Sequence, residues 1–300
     1  MKAQFPIYIP SKGRFEIRLT SDALTRMKQP HIFVVEEQEY SAYREAVRDN
    51  LFASVIVLDD SYKDRYELCD DLGRTKSTGP GPARNFLWDH SIASGFAWHW
   101  TMDDNIREFY RLNDNRKIRV YTGAIFRAME DFCLRYLNVY MAGPNYAFFA
   151  KRKQRLNPLI LNTRIYSCNL IRNDIPFRWR GRYNEDTILS LDILKAGFCT
   201  VQFNAFLQSK ARTQVIKGGN TAEFYSKEGT APKSEMQVKV HPDVSRLTWR
   251  FGRVHHFVDY TPFRKNRLIL KPECRNLKGV DEYGMTIAKV RDAKPVNANA

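Results

Sequence analysis

The chain has 300 residues, 43% of them hydrophobic and 27% charged, which excludes wholesale disorder and allows one large domain or two small ones. Its 48 lysines and arginines against 33 acids leave a net charge of +15, which suits a polyanionic partner (nucleic acid, an anionic membrane or a phosphorylated substrate) or serves solubility alone. Five widely spaced cysteines without a Cys-x-x-Cys pair argue against a zinc site or disulfide framework and fit a reducing cytoplasm, with Cys133, Cys168 and Cys199 as buried free thiols.

No stretch approaches the ~20 apolar residues of a membrane-spanning helix, and the start of the chain lacks a signal-peptide run. Phe5–Pro10 reads as a buried strand that turns out through Ser11-Lys12-Gly13-Arg14. A weak helix is expected around Glu16–Met27, a second strand at His31–Val35 ending in Glu36-Glu37, helical character over Gln38–Asp49, and a third strand at Ser54–Leu58. Such alternation predicts right-handed parallel crossovers and a nucleotide-type α/β domain. Asp60–Gly81 is polar and finally Gly-Pro-rich, and is expected to be a mobile surface loop. Pro82-Ala83-Arg84-Asn85 opens a helix running to about Ser94, with Arg84 and Asn85 near an anion-favouring helix start.

Phe96–Asn105 then reads as an aromatic, apolar strand ending in Asp103-Asp104-Asn105. Ligands of open α/β sheets bind beyond the carboxyl ends of strands, and carboxylates there suit Mg²⁺ or Mn²⁺. The same three residues also suit a plain turn. Further on, Ile106–Leu112 is a strand, Tyr121–Tyr136 an amphipathic helix, Val139–Gly143 and Ile165–Arg172 strands, and Lys151–Arg155 a basic run. Asn184-Glu185-Asp186 leads into a helix over Thr187–Ala196, closed by Gly197, and Cys199–Leu207 is a further strand. Lys210–Lys239 is polar, with Gly218-Gly219-Asn220-Thr221 expected as a hinge or flexible loop. Trp249–Tyr260 returns to strand character and holds His255-His256; the pattern fades beyond Gly279, and Lys294–Ala300 is expected to fray.

On these residues the chain resembles the GT-A fold of nucleotide-sugar-dependent glycosyltransferases. The resemblance rests on Ile9-Pro10-Ser11-Lys12-Gly13-Arg14, Val35-Glu36, Ala83-Arg84-Asn85, Met102-Asp103-Asp104-Asn105 and Glu185-Asp186. With the opening Ile-Tyr-Ile-Pro-Ser-Lys-Gly-Arg, Asn-Glu-Asp, and Gly252-Arg253-Val254-His255-His256, it also resembles the phage-encoded TET-associated glycosyltransferases, which attach sugars to hydroxymethylated pyrimidines in DNA. The implied fold is α/β, a GT-A-like, Rossmann-type nucleotide-binding sheet with an acceptor-binding C-terminal part. The expected layout is one domain over 1–272, with a donor half at 1–110, an acceptor half at 111–272, and a tail at 273–300.

The resemblance implies a UDP-sugar donor, a divalent metal (Mn²⁺ or Mg²⁺) and a DNA acceptor in the cytoplasm of a phage-infected host. Pro10, Ser11, Lys12, Arg14, Glu36, Arg84, Asn85 and Asp103 are the implied donor-binding residues. A strict Asp-x-Asp is absent; Asp104 is favoured as direct metal ligand, with Asp103 bridging to ribose or to metal-bound water. A late histidine is also implied as a ligand, and strand alternation would turn only one of His255 and His256 inward. Asp186 is the candidate base, and Glu185 the residue for a sugar or acceptor hydroxyl; helix capping is the alternative for the pair. A glycan or lipid-linked acceptor, a plain nucleic-acid-binding protein and a metal-dependent nucleotidyltransferase remain competing readings.

Overall fold

A computed structural model describes residues 1–73, 77–154, 156–211, 231–250 and 252–274. The first strands pair in parallel, as helical crossovers between them require. β1 (Ile7–Pro10) lies between β2 (His31–Val35) and β4 (Trp98–Met102), and β3 (Ala53–Val57) pairs with β2. The connecting helices are α1 (Leu19–Arg26), α2 (Tyr40–Ala46), the single turn α3 (Ser61–Asp64) and α4 (Gly81–Ala93). This is the Rossmann-type half expected from the alternation of elements.

The sheet then becomes mixed. Its order is β3-β2-β1-β4-β9-β7-β10-β5-β6, where β5 is Ile106–Asn113, β6 Arg116–Arg119, β7 Val139–Tyr146, β9 Cys168–Arg172 and β10 Cys199–Lys210. The short β8 (Leu159–Leu161) adds to β10 off this path. β9 runs antiparallel to both β4 and β7, while β7 and β10 are parallel. The helices α5 (Ala124–Leu134) and α6 (Glu185–Lys195) pack on the sheet.

Alternation along the strands fills two layers. Ile7, Ile9, Trp98, Trp100 and Met102 pack with Leu24, Tyr43, Phe126 and Met129. Tyr8, between Ile7 and Ile9, packs on the other face with Leu87 of α4. Met141 and Ile171 join Trp88, Trp179, Leu189 and Ile193. All five cysteines are free, and Cys133, Cys168 and Cys199 are buried as expected.

One buried acid ties the first layer together. Glu130 of α5 is fully buried and accepts hydrogen bonds from the Gln4 and Phe5 backbone amides and the Trp100 indole. Glu130→Ala leaves three donors without an acceptor, and is expected to cost about 3 kcal/mol in urea unfolding. A loss below about 1 kcal/mol would mean that water replaces the carboxylate.

Several expectations are corrected. Residues 60–81 are not a free surface loop where described: Tyr66 is buried, and the buried Arg182 guanidinium grips Asp70 (2.6 Å) and the Gly73 and Ser77 carbonyls. The polar stretch after Lys210 contains a helix, α7 (Ala231–Val240), and Gly218–Thr221 lies outside the described residues. The strand character expected over Trp249–Tyr260 is present, and the strand region begins earlier, as a hairpin of β11 (Ser245–Arg250) and β12 (Arg253–Val258). Its polar first strand, Ser-Arg-Leu-Thr-Trp-Arg, hid it from a hydrophobicity reading. The tail beyond residue 274 lies outside the described residues.

Candidate active site

A cavity of about 1000 Å³ opens over the carboxyl ends of β1, β2 and β4. Pro10, Ser11, Lys12, Arg14, Glu36, Arg84, Asp103, Asp104, Glu185, Asp186, His255 and His256 all line it, as does Asn105. Asn85 does not. Its side-chain amide donates to the Trp179 carbonyl and accepts from the Trp179 amide, both at 2.9 Å. Asn85 therefore fastens the chain that carries Trp179, whose ring lies 4.6 Å under the Arg84 guanidinium carbon. The expected donor contact of Asn85 is corrected to the support of Arg84.

The two aspartates are placed by the end of β4. This strand is buried along its whole length, His99 and Thr101 included, and its first carboxylates come where it leaves the sheet. Thr20 of α1 locks the exit: its hydroxyl donates to the Asp103 carbonyl (2.6 Å) and accepts from the Ile106 amide (2.8 Å). Asp103 and Asp104 then face different partners. Asp104 accepts from the Arg14 guanidinium and from the Ser11 hydroxyl (2.7 Å). Asp103 accepts from Arg84 Nη2 (2.7 Å) and Lys210 Nζ (2.5 Å).

The second acidic pair begins α6. Asn184, in the left-handed region at φ 55°, turns the chain into the helix, and its amide donates to the Lys233 carbonyl. Glu185 and Asp186 sit in the first turn, where the helix dipole favours negative charge. Arg84 Nη1 reaches both, Asp186 at 2.7 Å and Glu185 at 3.1 Å. Asn169 of β9 and the Ser167 amide also donate to Asp186. One guanidinium, 2% exposed, thus joins the carboxylate at the end of β4 to the pair at the start of α6.

The electrostatics follow from burial and these pairings. Burial pushes the Glu185 carboxyl up to about 7 against the pull of Arg84, and raises Asp186 for the same reason. Asp103 is also buried, but Lys210 and Arg84 overcome that and hold it well below the usual carboxylate range. Glu36, at the end of β2, is bridged by Lys63 (2.8 Å) and Lys12 (3.3 Å), which lower it despite burial.

The hairpin separates the two histidines. Alternation puts His255 with Arg253 and Phe257 on one face, and His256 on the other, across from Leu247. Burial lowers the His256 pKa to about 4, and its Nδ1 is buried without a hydrogen-bond partner. Arg253 Nε donates to His255 Nε2 at 3.0 Å. His256 is the more buried of the pair, and both line the cavity.

Carboxylates, an amide carbonyl and an imidazole are the donor types of a hard divalent cation. Asn105 Oδ1 is a second buried, unpartnered atom on the lining, so the residues fit such an ion in kind. Among the described residues, however, no three His, Cys, Asp or Glu side chains converge on one point. The oxygens of Asp103 and Asp104 are met by Arg14, Ser11, Arg84 and Lys210, and a cation would exchange for one of those contacts.

Several lining residues carried no signal in the sequence. Lys210 ends β10 at a register shift and donates to the Ser167 hydroxyl (2.9 Å) as well as to Asp103. Tyr146 stacks on Tyr166 (5.8 Å, 18°), and the Arg164 guanidinium lies 4.9 Å from the Tyr166 ring centre. Such residues become legible only when the strands are assembled, because nothing nearby in sequence marks them.

No curated protein sequence matches the chain. The apo form of mouse xyloside xylosyltransferase 1 is a structural neighbour at 12% identity, over 64% of this chain and 82% of that one. Its TM-score of 0.36 is too low to carry an argument. Residues 5–219, well over half of the chain and most of the cavity lining, match the family described as TET-Associated Glycosyltransferase, and the chain therefore belongs to that family and is a glycosyltransferase.

Proposed function

We propose that the enzyme takes a sugar from a UDP-sugar and attaches it to the hydroxymethyl oxygen of 5-hydroxymethylcytosine, or a related hydroxymethylpyrimidine, in DNA. It would act in the cytoplasm of a phage-infected host. The observation that carries this reading is the Arg84 fork, which joins Asp103 and Asp186, from distant parts of the sequence, in one cavity. Residues 1–110 supply the donor side, with Pro10, Ser11, Lys12, Arg14, Glu36 and Asp103 along the strand ends. Residues 111–272 supply the acceptor side, where the stacked Tyr146 and Tyr166 offer a flat wall to a planar base. Among the described residues, no helix is long and apolar enough to cross a membrane.

In the transfer step the acceptor oxygen bonds to the anomeric carbon, and the bond to the diphosphate oxygen breaks with its electron pair. Arg14, Arg84 and Lys210 neutralise the charge that gathers on the leaving group, in a site shielded from water. Asp186 takes the proton from the attacking hydroxyl, and Glu185 orients a sugar or acceptor hydroxyl; with Asp186 as the base, transfer inverts the anomeric centre. Asp104, with Asp103, Asn105 and His256, would hold a divalent cation. When bound it supplies Lewis-acid stabilisation of the diphosphate.

A mass-spectrometric screen tests the reading. Hydroxymethylcytosine DNA and plain DNA are offered with a panel of UDP- and GDP-sugars, in Mn²⁺, Mg²⁺ or EDTA. The expected product is a glycosylated modified base from a UDP-sugar, absent on plain DNA and lost with EDTA. Product on a glycan or lipid-linked alcohol but not on DNA reassigns the acceptor. Full turnover in EDTA removes the cation and leaves charge stabilisation to the basic side chains.

A further inference from the structure

The β11–β12 hairpin is built unlike the rest of the fold. Its base is anchored: Ser245 is buried and hydrogen-bonded to Gln237 of α7, and Val244 and Val258 pack with Leu191, Leu194 and Phe263. Its far end is not. Trp249 is 70% exposed and Leu247 47%, on the same face of the ribbon. Arg246 and Arg250 lie over Phe257 on the other face, at 4.8 and 5.9 Å, and Arg253 is paired in register with Arg250. Among the described residues no carboxylate forms an ion pair with these three arginines, and Asp259 acts on Arg246 only through its charge. The same hairpin walls the cavity through Arg250, His255, His256, Phe257 and Val258.

An exposed indole backed by three arginines that form no ion pair among the described residues, beside a deep cleft, is a poor device for folding and a good one for a stacked polyanion. The depth of the site adds a second constraint. Asp186 is only 8% exposed and Arg84 2%, inside a cavity of about 1000 Å³. A duplex is far too wide to enter, so a base in it reaches those groups only by leaving the stack, which opens a gap between its neighbours. We propose that this hairpin is the duplex-DNA-engaging element of the enzyme: Trp249 stacks in the gap left by the extruded nucleotide, and Arg246, Arg250 and Arg253 contact the flanking phosphates. The inference rests on the DNA-acceptor reading above and extends it to a step that precedes transfer.

The test compares the full-length enzyme and Trp249→Ala on two acceptors: duplex DNA with one hydroxymethylcytosine, and the free hydroxymethyl-deoxycytidine monophosphate. On the duplex, kcat/KM is expected to fall about tenfold or more, the scale of one lost base–aromatic stack. On the monophosphate it stays within about twofold, since no stack has to be opened. Trp249→Phe recovers most of the duplex activity, and a duplex with an abasic site opposite the target shrinks the Trp249→Ala penalty. Joint replacement of Arg246, Arg250 and Arg253 by alanine lowers the salt slope of duplex binding by about 0.9 per lost phosphate contact. Equal losses on both acceptors, or none on the duplex, overturn the proposal. If the wild-type enzyme glycosylates neither acceptor, the DNA reading of the transfer fails by itself. Fluorescence anisotropy with the same duplex then decides the hairpin: weaker binding by Trp249→Ala and by the triple variant upholds it, and unchanged binding sinks it.

Discussion

Asp186→Asn is expected to lower kcat by about 10²–10⁴-fold, the range contributed by one positioned general base, with UDP-sugar affinity nearly unchanged. Asparagine keeps the shape and can still accept from Arg84 and Asn169, the two side chains that hold Asp186. What it loses is the capacity to receive a proton. Calorimetric donor binding beside a single-turnover assay separates the two effects, and retained turnover assigns the base elsewhere.

Glu185 is the place to look in that event. Burial brings its carboxyl to about 7, near the value that suits a base at neutral pH. Glu185 and Asp186 share Arg84, so they titrate as a pair. Since the base must be ionised, kcat/KM is expected to climb with pH and level off above about 7. Stability runs the other way. Both carboxyls are raised on folding, so the proton binds the folded state more tightly. The stability this contributes is complete below the unfolded carboxyl value and is lost as pH rises through the folded values, about 7 for Glu185. The site is thus most active where this pair stabilises the fold least. If Glu185→Gln erases the pH limb together with turnover while Asp186→Asn keeps both, the roles of the two acids are exchanged.

The second large effect concerns Arg84. Arg84→Met should cost about 3–5 kcal/mol of unfolding free energy, because it strands buried carboxylates that one guanidinium had compensated. Lys210 still serves Asp103, but among the described residues no other cation is bonded to Glu185 or Asp186. Arg84→Lys is expected to recover less than half, since a single ammonium cannot span the fork that Nη1 and Nη2 make.

The pH dependence of the deficit carries its own sign. In the native protein Asp103 is held low by Lys210 and Arg84, so its stabilisation is present above the usual carboxyl value and lost as pH falls through its folded value. Without Arg84, Glu185 and Asp186 rise further and bind protons in the folded state. The deficit should therefore be largest at about pH 8 and shrink toward about pH 5. Denaturant unfolding at the two values measures it, and a deficit independent of pH would point to lost packing against Trp179 instead.

Much of this is legible in the sequence. Apolar runs such as Trp98–Met102 and Ile7–Pro10 mark buried strands by themselves, because a strand's burial is written in its own residues. Acids just past those runs fall at strand ends for the same reason. The reading failed where identity and context part. Asn85, beside Arg84 in a recognisable triplet, is spent on the Trp179 backbone and does not reach the cavity. Ser245–Arg250 is too polar to announce a strand, yet cross-strand pairing with β12 makes it one.

By itself the sequence determined the α/β alternation, the acids at the ends of β4 and α6, the excess of positive charge and the family likeness. Each of these depends on a residue and its near neighbours. Only the tertiary structure decided that Arg84 meets Asp186 across 102 positions and that Lys210 meets Asp103 across 107. It also buried His256 more deeply than His255 and left Trp249 exposed on the hairpin that walls the cavity. The physical reason is that strand order in the mixed sheet, and not distance along the chain, determines which strand ends share a cavity, and a buried charge settles only where an opposite one is brought to it.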